Sequence, residues 1–414
     1  MGGAITHAYA GSTPPCATLN VVAILSTTHL SKTFRAFLDS EKSSGILLIV
    51  CTIVSLLIAN SSSGAAYLDW WHTPVAGLSL EHWINDALMA IFFLLIGLEL
   101  EREFHNGELS SLQSALLPFF AAVGGIIAPA LVHFSLNAGT PAQSGVGIPM
   151  ATDIAFALGV LAILGNRIPA ALKIFIAAFA VMDDLSAIVI IAAFYTAKIA
   201  VGYLAGAVTV WVLLYLLNRR FRVMSLAPYL IGGALMWFFM LKSGVHATVA
   251  GVMLAFAIPY SSKKDDEESP SHRLEHFLHK PVAFVILPIF ALANTAVLVG
   301  PGWTQSLTSA NSLGIAAGLI VGKPLGVTLL CYVAVAIGLC RLPAGLNWRH
   351  IAGAGLLGGI GFTMSIFITN LAFAGQPYAI NASKIAILVA SLTAGAMGYL
   401  WLLFFGKSEA AAGR

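Results

Sequence analysis

The stretch AVMDDLSAIVI, residues 180–190, places two adjacent acids in the middle of an apolar run. Phe175 through Met182 and Leu185 through Phe194 are almost entirely hydrocarbon, yet Asp183 and Asp184 sit between them. A bilayer crossing needs about 20 mostly apolar residues, and this run has that length. The fold therefore turns on whether the rest of the chain also reads as membrane.

It does. The chain has 414 residues, of which 58% are hydrophobic and 9% charged, with a mean hydropathy of +0.89. A soluble domain carries about 25% charged residues, so this one lacks the polar surface to cover a soluble globule. A net charge of +3 is too small to indicate nucleic acid. Cys16, Cys51, Cys331 and Cys340 form no CxxC or Cys/His cluster, so neither a disulfide framework nor a zinc site is indicated. The N-terminal stretch does not read as a signal peptide, because no basic residue precedes Lys32 and Pro14 and Pro15 interrupt it. Residues 31–42 (SKTFRAFLDSEK) read as a helical start lying along the membrane surface.

Twelve spans are expected: 43–60, 82–104, 115–136, 146–165, 170–196, 200–218, 225–241, 244–260, 277–299, 313–338, 350–373 and 381–405. Pro141, Pro169, Pro259, Pro301 and Pro343 mark boundaries. The chain then divides into a leader (1–42), a membrane domain (43–405) and a short tail (406–414). An even number of crossings puts both termini on one side. Of the 21 Lys and Arg, 17 fall on that side; only Lys198, Lys242 and Lys384 fall opposite, and Lys323 lies within a span. Basic residues accumulate on the cytoplasmic face, so both termini are expected there.

Lys323 (LIVGKPLGV) lies near the centre of 313–338, Asp153 (PMATDIAF) near the centre of 146–165, and Asp183 and Asp184 near the centre of 170–196. Each costs about 2.5–3.5 kcal/mol at a helix centre on translocon scales. A structural ion pair explains Lys323 and one aspartate but leaves two acids unaccounted for. Adjacent helical residues point about 100° apart, so Asp183 and Asp184 cannot share one partner. One is expected to pair with Lys323, and the other to face Asp153 and an ion.

Two spans are poor continuous helix. One begins VGIPMATD, with Pro149 and Thr152. The other reads GAGLLGGIGFTMSIF, with Gly358, Gly359 and Gly361. Interrupted spans in corresponding places of two halves point to the binding site of a secondary transporter. Opposed half-helix ends leave partial charges that Asp153 and Lys323 are placed to compensate. The alternative, that these glycines only permit close helix packing, stays open at this stage.

The stretches FFLLIGLELERE (92–103), ATDIAFALGVLAILG (151–165), AVMDDLSAI (180–188), SGVHATVAGV (243–252), LEHFLH (274–279), FALANTAV (290–297), GKPLG (322–326) and GGIGFTMSIF (358–367) closely resemble the NhaA-type sodium/proton antiporters. The resemblance covers nearly all of the membrane domain. It implies an all-α fold of twelve helices with inverted repeats, the fourth and eleventh broken and crossing. It also implies electrogenic, pH-regulated exchange of cytoplasmic Na⁺ or Li⁺ for external H⁺ across a bacterial inner membrane, without a cofactor. Carried over by motif, Asp184 is the central ion-binding carboxylate and Asp183 the partner of Lys323. Asp153 is the aspartate of the broken fourth helix, with Thr152 beside it. A homodimer is an expectation of the family alone; no residue here speaks for it.

Na⁺ prefers oxygen ligands, and a carboxylate can hold either Na⁺ or H⁺, so one site can exchange them by competition. Glu99 falls near the cytoplasmic end of span two, as an entrance group or as an ordinary end-of-helix acid. Glu275, His276 and His279 open span nine; the resemblance assigns pH sensing to this region, and His246 at the far end of span eight is equally ambiguous. The run DDEESPSH (265–272) reads as a solvated loop. A retinal pump would also set a lysine near aspartates but not twelve spans with broken helices. An intramembrane aspartyl protease would need a GxGD motif, which is absent. A nutrient symporter, with a larger organic pocket, is the nearest rival.

Overall fold

The computed structural model describes residues 32–196, 199–261, 269–300 and 302–406. The leader before residue 32, Lys198, the acidic run 265–268 and the tail after 406 lie outside the described residues. Among those described, eight helical segments are long and apolar enough to cross a membrane, and two bent pairs bring the number to ten.

Helix α1 (Lys32–Ala59) is continuous, so residues 32–42 run unbroken into the first expected span. It turns by 118° into α2 (Gly64–Trp71). A hairpin follows that the all-α reading did not foresee: β1 (Pro74–Val75) pairs antiparallel with β2 (Leu78–Ser79). Its turn is Ala76–Gly77, both at positive φ (50° and 85°), the two-residue geometry that matches strand twist. The next long segments are α3 (Leu80–Asn106) and α4 (Leu112–Asn137).

The fourth span, Pro141–Leu164, is interrupted. A tight 3₁₀ stretch runs over Pro141–Met150, residues 151–153 are extended, and α5 (Ile154–Leu164) restarts with Asp153 as its cap. Pro149 removes a backbone donor from any continuous helix here. Then come α6 (Ala170–Phe194) and α7 (Val201–Arg219).

Span seven keeps its expected length but is shifted by two residues, and span eight is shorter than expected. Helix α8 (Ala227–Ser243) has 17 residues and α9 (Val249–Ala255) only seven. The reason is local: Gly244 takes a left-handed conformation (φ 83°) that stops α8, and turns separate it from α9.

The remaining segments are α10 (Pro270–Asn294), α11 (Ala310–Ala336), α12 (Trp348–Gly358), α13 (Phe362–Ala372) and α14 (Pro377–Phe405). Helices α12 and α13 meet at 47° across Gly359–Gly361. Lys384, read from the sequence as an outer-boundary charge, is buried two turns inside α14.

Helix α11 packs along α4, and α3 packs against α9. At the first contact Gly124 and Gly326 face each other, and a Cβ on either would strike the other's carbonyl. This backbone approach brings Lys323 of α11 to Gly125 of α4, where a Cβ would stand 3.3 Å from Lys323 Cε. A π-turn at Gly318–Gly322 immediately precedes Lys323 and rephases the helix there.

Candidate functional site

The breaks of the fourth and eleventh spans meet and are stitched together. The Asp153 N–H donates to Ile360 O at 2.6 Å, and Thr152 Oγ1 donates to Gly358 O at 2.8 Å. Ser365 Oγ donates to Ile148 O at 2.7 Å. Gly359 is needed at the crossing, since a Cβ there would strike the Leu319 carbonyl. Gly361 forms the entry to α13. Each chain thereby satisfies backbone groups that the other's break leaves open, which hydrocarbon would not do.

Asp153 caps two helices at once. Its carboxylate accepts from the Phe156 N–H of α5 at 3.2 Å and from the Thr363 N–H of α13 at 3.0 Å, and the Thr363 hydroxyl donates to it as well. A negative group at two helix N-termini answers both the orphan donors and the positive ends of the dipoles. Lys323 does the converse. Fully buried, it donates to Asp183 Oδ2 at 2.8 Å and to the Met150 carbonyl that ends the 3₁₀ stretch.

Asp183 and Asp184 are both buried but occupy different surroundings. Asp183 is turned to Lys323. Asp184 points into a cavity of about 50 Å³ whose polar lining is Glu99, Asp153, Asp184, His279 and Thr363, with Phe92, Ile96 and Leu287 among its apolar walls. Its Oδ1 has no hydrogen-bond partner among the described residues. Asp184 thus brings to this cavity a carboxylate with unused acceptor capacity, beside a second carboxylate and a hydroxyl. Hard monovalent cations and protons are what such oxygens bind. No group of three or more His, Cys, Asp or Glu among the described residues is disposed to hold a resident metal ion.

The peripheral groups separate. Glu99 and His279 reach the cavity. Glu275 instead pairs with Arg102 at 3.1 Å, and Arg102 also reaches Glu103 at 3.3 Å. His276 is exposed and outside the lining. His246 is elsewhere: its Nε2 lies 2.8 Å from the Tyr195 carbonyl, and Tyr195 Oη in turn donates to Ser144 O and accepts from the Gly147 N–H. Tyr195 thereby ties the C-terminal end of α6 to the 3₁₀ stretch, and His246 holds the Tyr195 backbone.

Thr152, whose hydroxyl is spent on Gly358, acts as a pin at the crossing. Thr363 and the Met150 carbonyl were not singled out from the sequence. A threonine in a membrane helix usually bonds its own i−4 carbonyl, as Thr369 does to Ser365. Nothing local distinguishes Thr363, and a carbonyl carries no residue signature at all.

A family model described as "Na+/H+ antiporter 1" matches residues 35–402. A Na⁺/H⁺ antiporter NhaA of Dechloromonas aromatica is 68% identical over 382 residues, covering 92% of this chain and 98% of the relative. One of Cytophaga hutchinsonii is 57% identical over 373 residues, covering 90% and 95%. One of Vibrio campbellii is 49% identical over 377 residues, covering 91% and 96%.

Proposed function

Because the chain belongs to the NhaA Na⁺/H⁺ antiporter family, we propose that this multi-pass bacterial membrane protein exports cytoplasmic Na⁺ and Li⁺ in exchange for external H⁺. It is a transporter, not an enzyme. The observation that carries the site assignment is Asp184, buried with one unpartnered carboxylate oxygen and lining a cavity with Asp153 and Thr363.

Asp184 holds either the cation or a proton, and the two compete. When Na⁺ enters, Asp184, Asp153 and the Thr363 hydroxyl supply its oxygens and the proton leaves. A site holding neither would bury a bare carboxylate, which is too costly to carry across. That coupling prevents a leak. The Asp183–Lys323 pair makes the exchange electrogenic: a cation arriving beside Asp184 competes with Lys323 for the carboxylates, the pair parts, and a second proton is released from it. If Lys323→Ala kept full voltage sensitivity in proteoliposomes, this second role would be wrong.

Counting α8, α9 and the bent segments gives twelve crossings, and the Lys and Arg bias of the loops supports cytoplasmic termini, with the two broken spans in inverted repeats. Glu99 and His279 then line the cytoplasmic approach, and the Arg102–Glu275 pair stands beside it as the group on which pH regulation acts.

The direct test is proton flux in inside-out vesicles. Addition of Na⁺ or Li⁺, but not K⁺, should release accumulated protons. No response to either cation would remove the proposal. A response only with an organic solute would favour a symporter.

A further inference from the structure

Three helices repeat one order as they leave the cavity. In α10 the lining residues Ala283 and Leu287 are followed by Phe290 and then Asn294. In α13, Thr363 and Met364 are followed by Phe367 and then Asn370. In α3 the lining residues Leu95, Ile96 and Glu99 are preceded by Phe93 and then Asn85. The three rings are buried, with Phe367 at 5.7 Å from Phe93 and 6.5 Å from Phe290 between centroids. They make an apolar layer beyond the cavity lining, on the side away from Glu99 and His279.

Beyond that layer the three amides form a chain. Asn370 Nδ2 donates to Asn294 Oδ1 at 2.5 Å, and Asn294 Nδ2 donates to Asn85 Oδ1 at 2.8 Å and to Phe290 O at 3.1 Å. The Phe290 carbonyl can only accept, so it sets the Asn294 amide with nitrogen toward itself and oxygen toward Asn370. Asn370 must then present its own nitrogen, which leaves Asn370 Oδ1 buried with no hydrogen-bond partner among the described residues. Flipping Asn370 would set two oxygens against each other. A structural amide clasp between membrane helices explains the bonds but not the orphan oxygen.

We propose that Asn85, Asn294 and Asn370 form a second station for the transported cation, on the outer side of the aromatic layer. It rests on the antiport reading and its topology. Neutral amide oxygens suit Na⁺ and Li⁺ chemically and hold them weakly enough to let go, as a site on an exit route must. Asn85 lies on a π-turn, Ile84–Leu88, a deviation that often marks functional positions. Asn370 stands seven residues after Thr363 on α13, two turns along the same face. A shift of α13 that parts Phe367 from Phe290 therefore also parts Asn370 from Asn294, and the station opens as the barrier does.

The test uses the full chain in membrane vesicles of both orientations, reading the Na⁺ concentration for half-maximal flux from each face. Asn370→Ala should raise that concentration about tenfold at the external face, the loss of one ion–dipole contact, and leave the cytoplasmic face within about twofold. Asn370→Asp, which keeps an oxygen and adds charge, should lower it at the external face. A mere clasp predicts the same direction for both variants, because both break the bond to Asn294; that result would overturn the station. Equal shifts at both faces, or none, would overturn it too. Should Asn370→Ala fail to accumulate, the sign of the Asn370→Asp or Asn85→Asp effect decides alone. Absence of Na⁺-driven flux in the unaltered protein would overturn the antiport reading, and the station with it.

Discussion

Replacing Lys323 by methionine removes a charge without opening a large hole, and its cost follows from the contacts it breaks. Lys323 is fully buried and donates to Asp183 Oδ2 at 2.8 Å and to the Met150 carbonyl. Asp183 Oδ1 already has no partner among the described residues. Without the lysine, a buried carboxylate therefore loses its charged partner and a helix-end carbonyl is orphaned. Breaking a buried pair from one side costs about 3–5 kcal/mol. At about 2 °C per kcal/mol for a large chain, that is a fall of about 6–10 °C in the midpoint of thermal unfolding. The midpoint can be followed in detergent through the eight tryptophans. Asp183→Asn alone should cost a similar amount, because it strands the ammonium. The double variant is the decisive one: replacing a buried pair by neutral groups of similar volume is close to neutral. It should therefore recover to within about 4 °C of the parent. If the double variant instead loses the sum of the two single losses, Lys323 and Asp183 do not stabilise one another, and the reasoning fails.

Asp184→Asn should abolish Na⁺-triggered proton flux while leaving thermal stability unchanged or higher, because the carboxylate it replaces has an unpartnered buried oxygen; a large loss of stability would show that Asp184 holds the fold. Asp153→Ala should unfold at a temperature about 4 °C below Asp153→Asn, since alanine gives up caps on both α5 and α13 at about 1 kcal/mol each; equal midpoints would mean the double cap contributes nothing. Gly326→Leu should cost about 1–3 kcal/mol or more through overpacking against α4. Gly202→Leu, where a Cβ would meet nothing within 4 Å, should be harmless; membrane yield and thermal unfolding read both.

The charged members of the site were legible because each breaks a rule. Asp153, Asp183, Asp184 and Lys323 interrupt long apolar runs, and the cost of burying a charge makes such residues conspicuous. The interruptions were legible for a related reason: Pro149 and the Gly358–Gly361 cluster are poor helix formers in segments that otherwise read as spans. The partners were less so. The Met150 carbonyl that receives Lys323 is invisible because every residue has one. Thr363 looks like any membrane threonine until its helix is set across the fourth span. His276 and His279 stand three residues apart in one motif, yet only His279 reaches the cavity, which depends on how α10 is rotated against α3.

Membrane residence, four ionisable groups set inside apolar segments and the places where two helices must break were written in the sequence alone. Hydropathy and backbone propensity act residue by residue along the chain, and the bilayer turns their sum into depth. The choice of Asp183 for Lys323, the exposure of Asp184 to a cavity, and the meeting of the two breaks were decided only by tertiary structure. Those outcomes depend on how each helix is rotated about its axis and how closely α4 and α11 approach at Gly124 and Gly326. Packing settles both quantities between helices far apart in the chain.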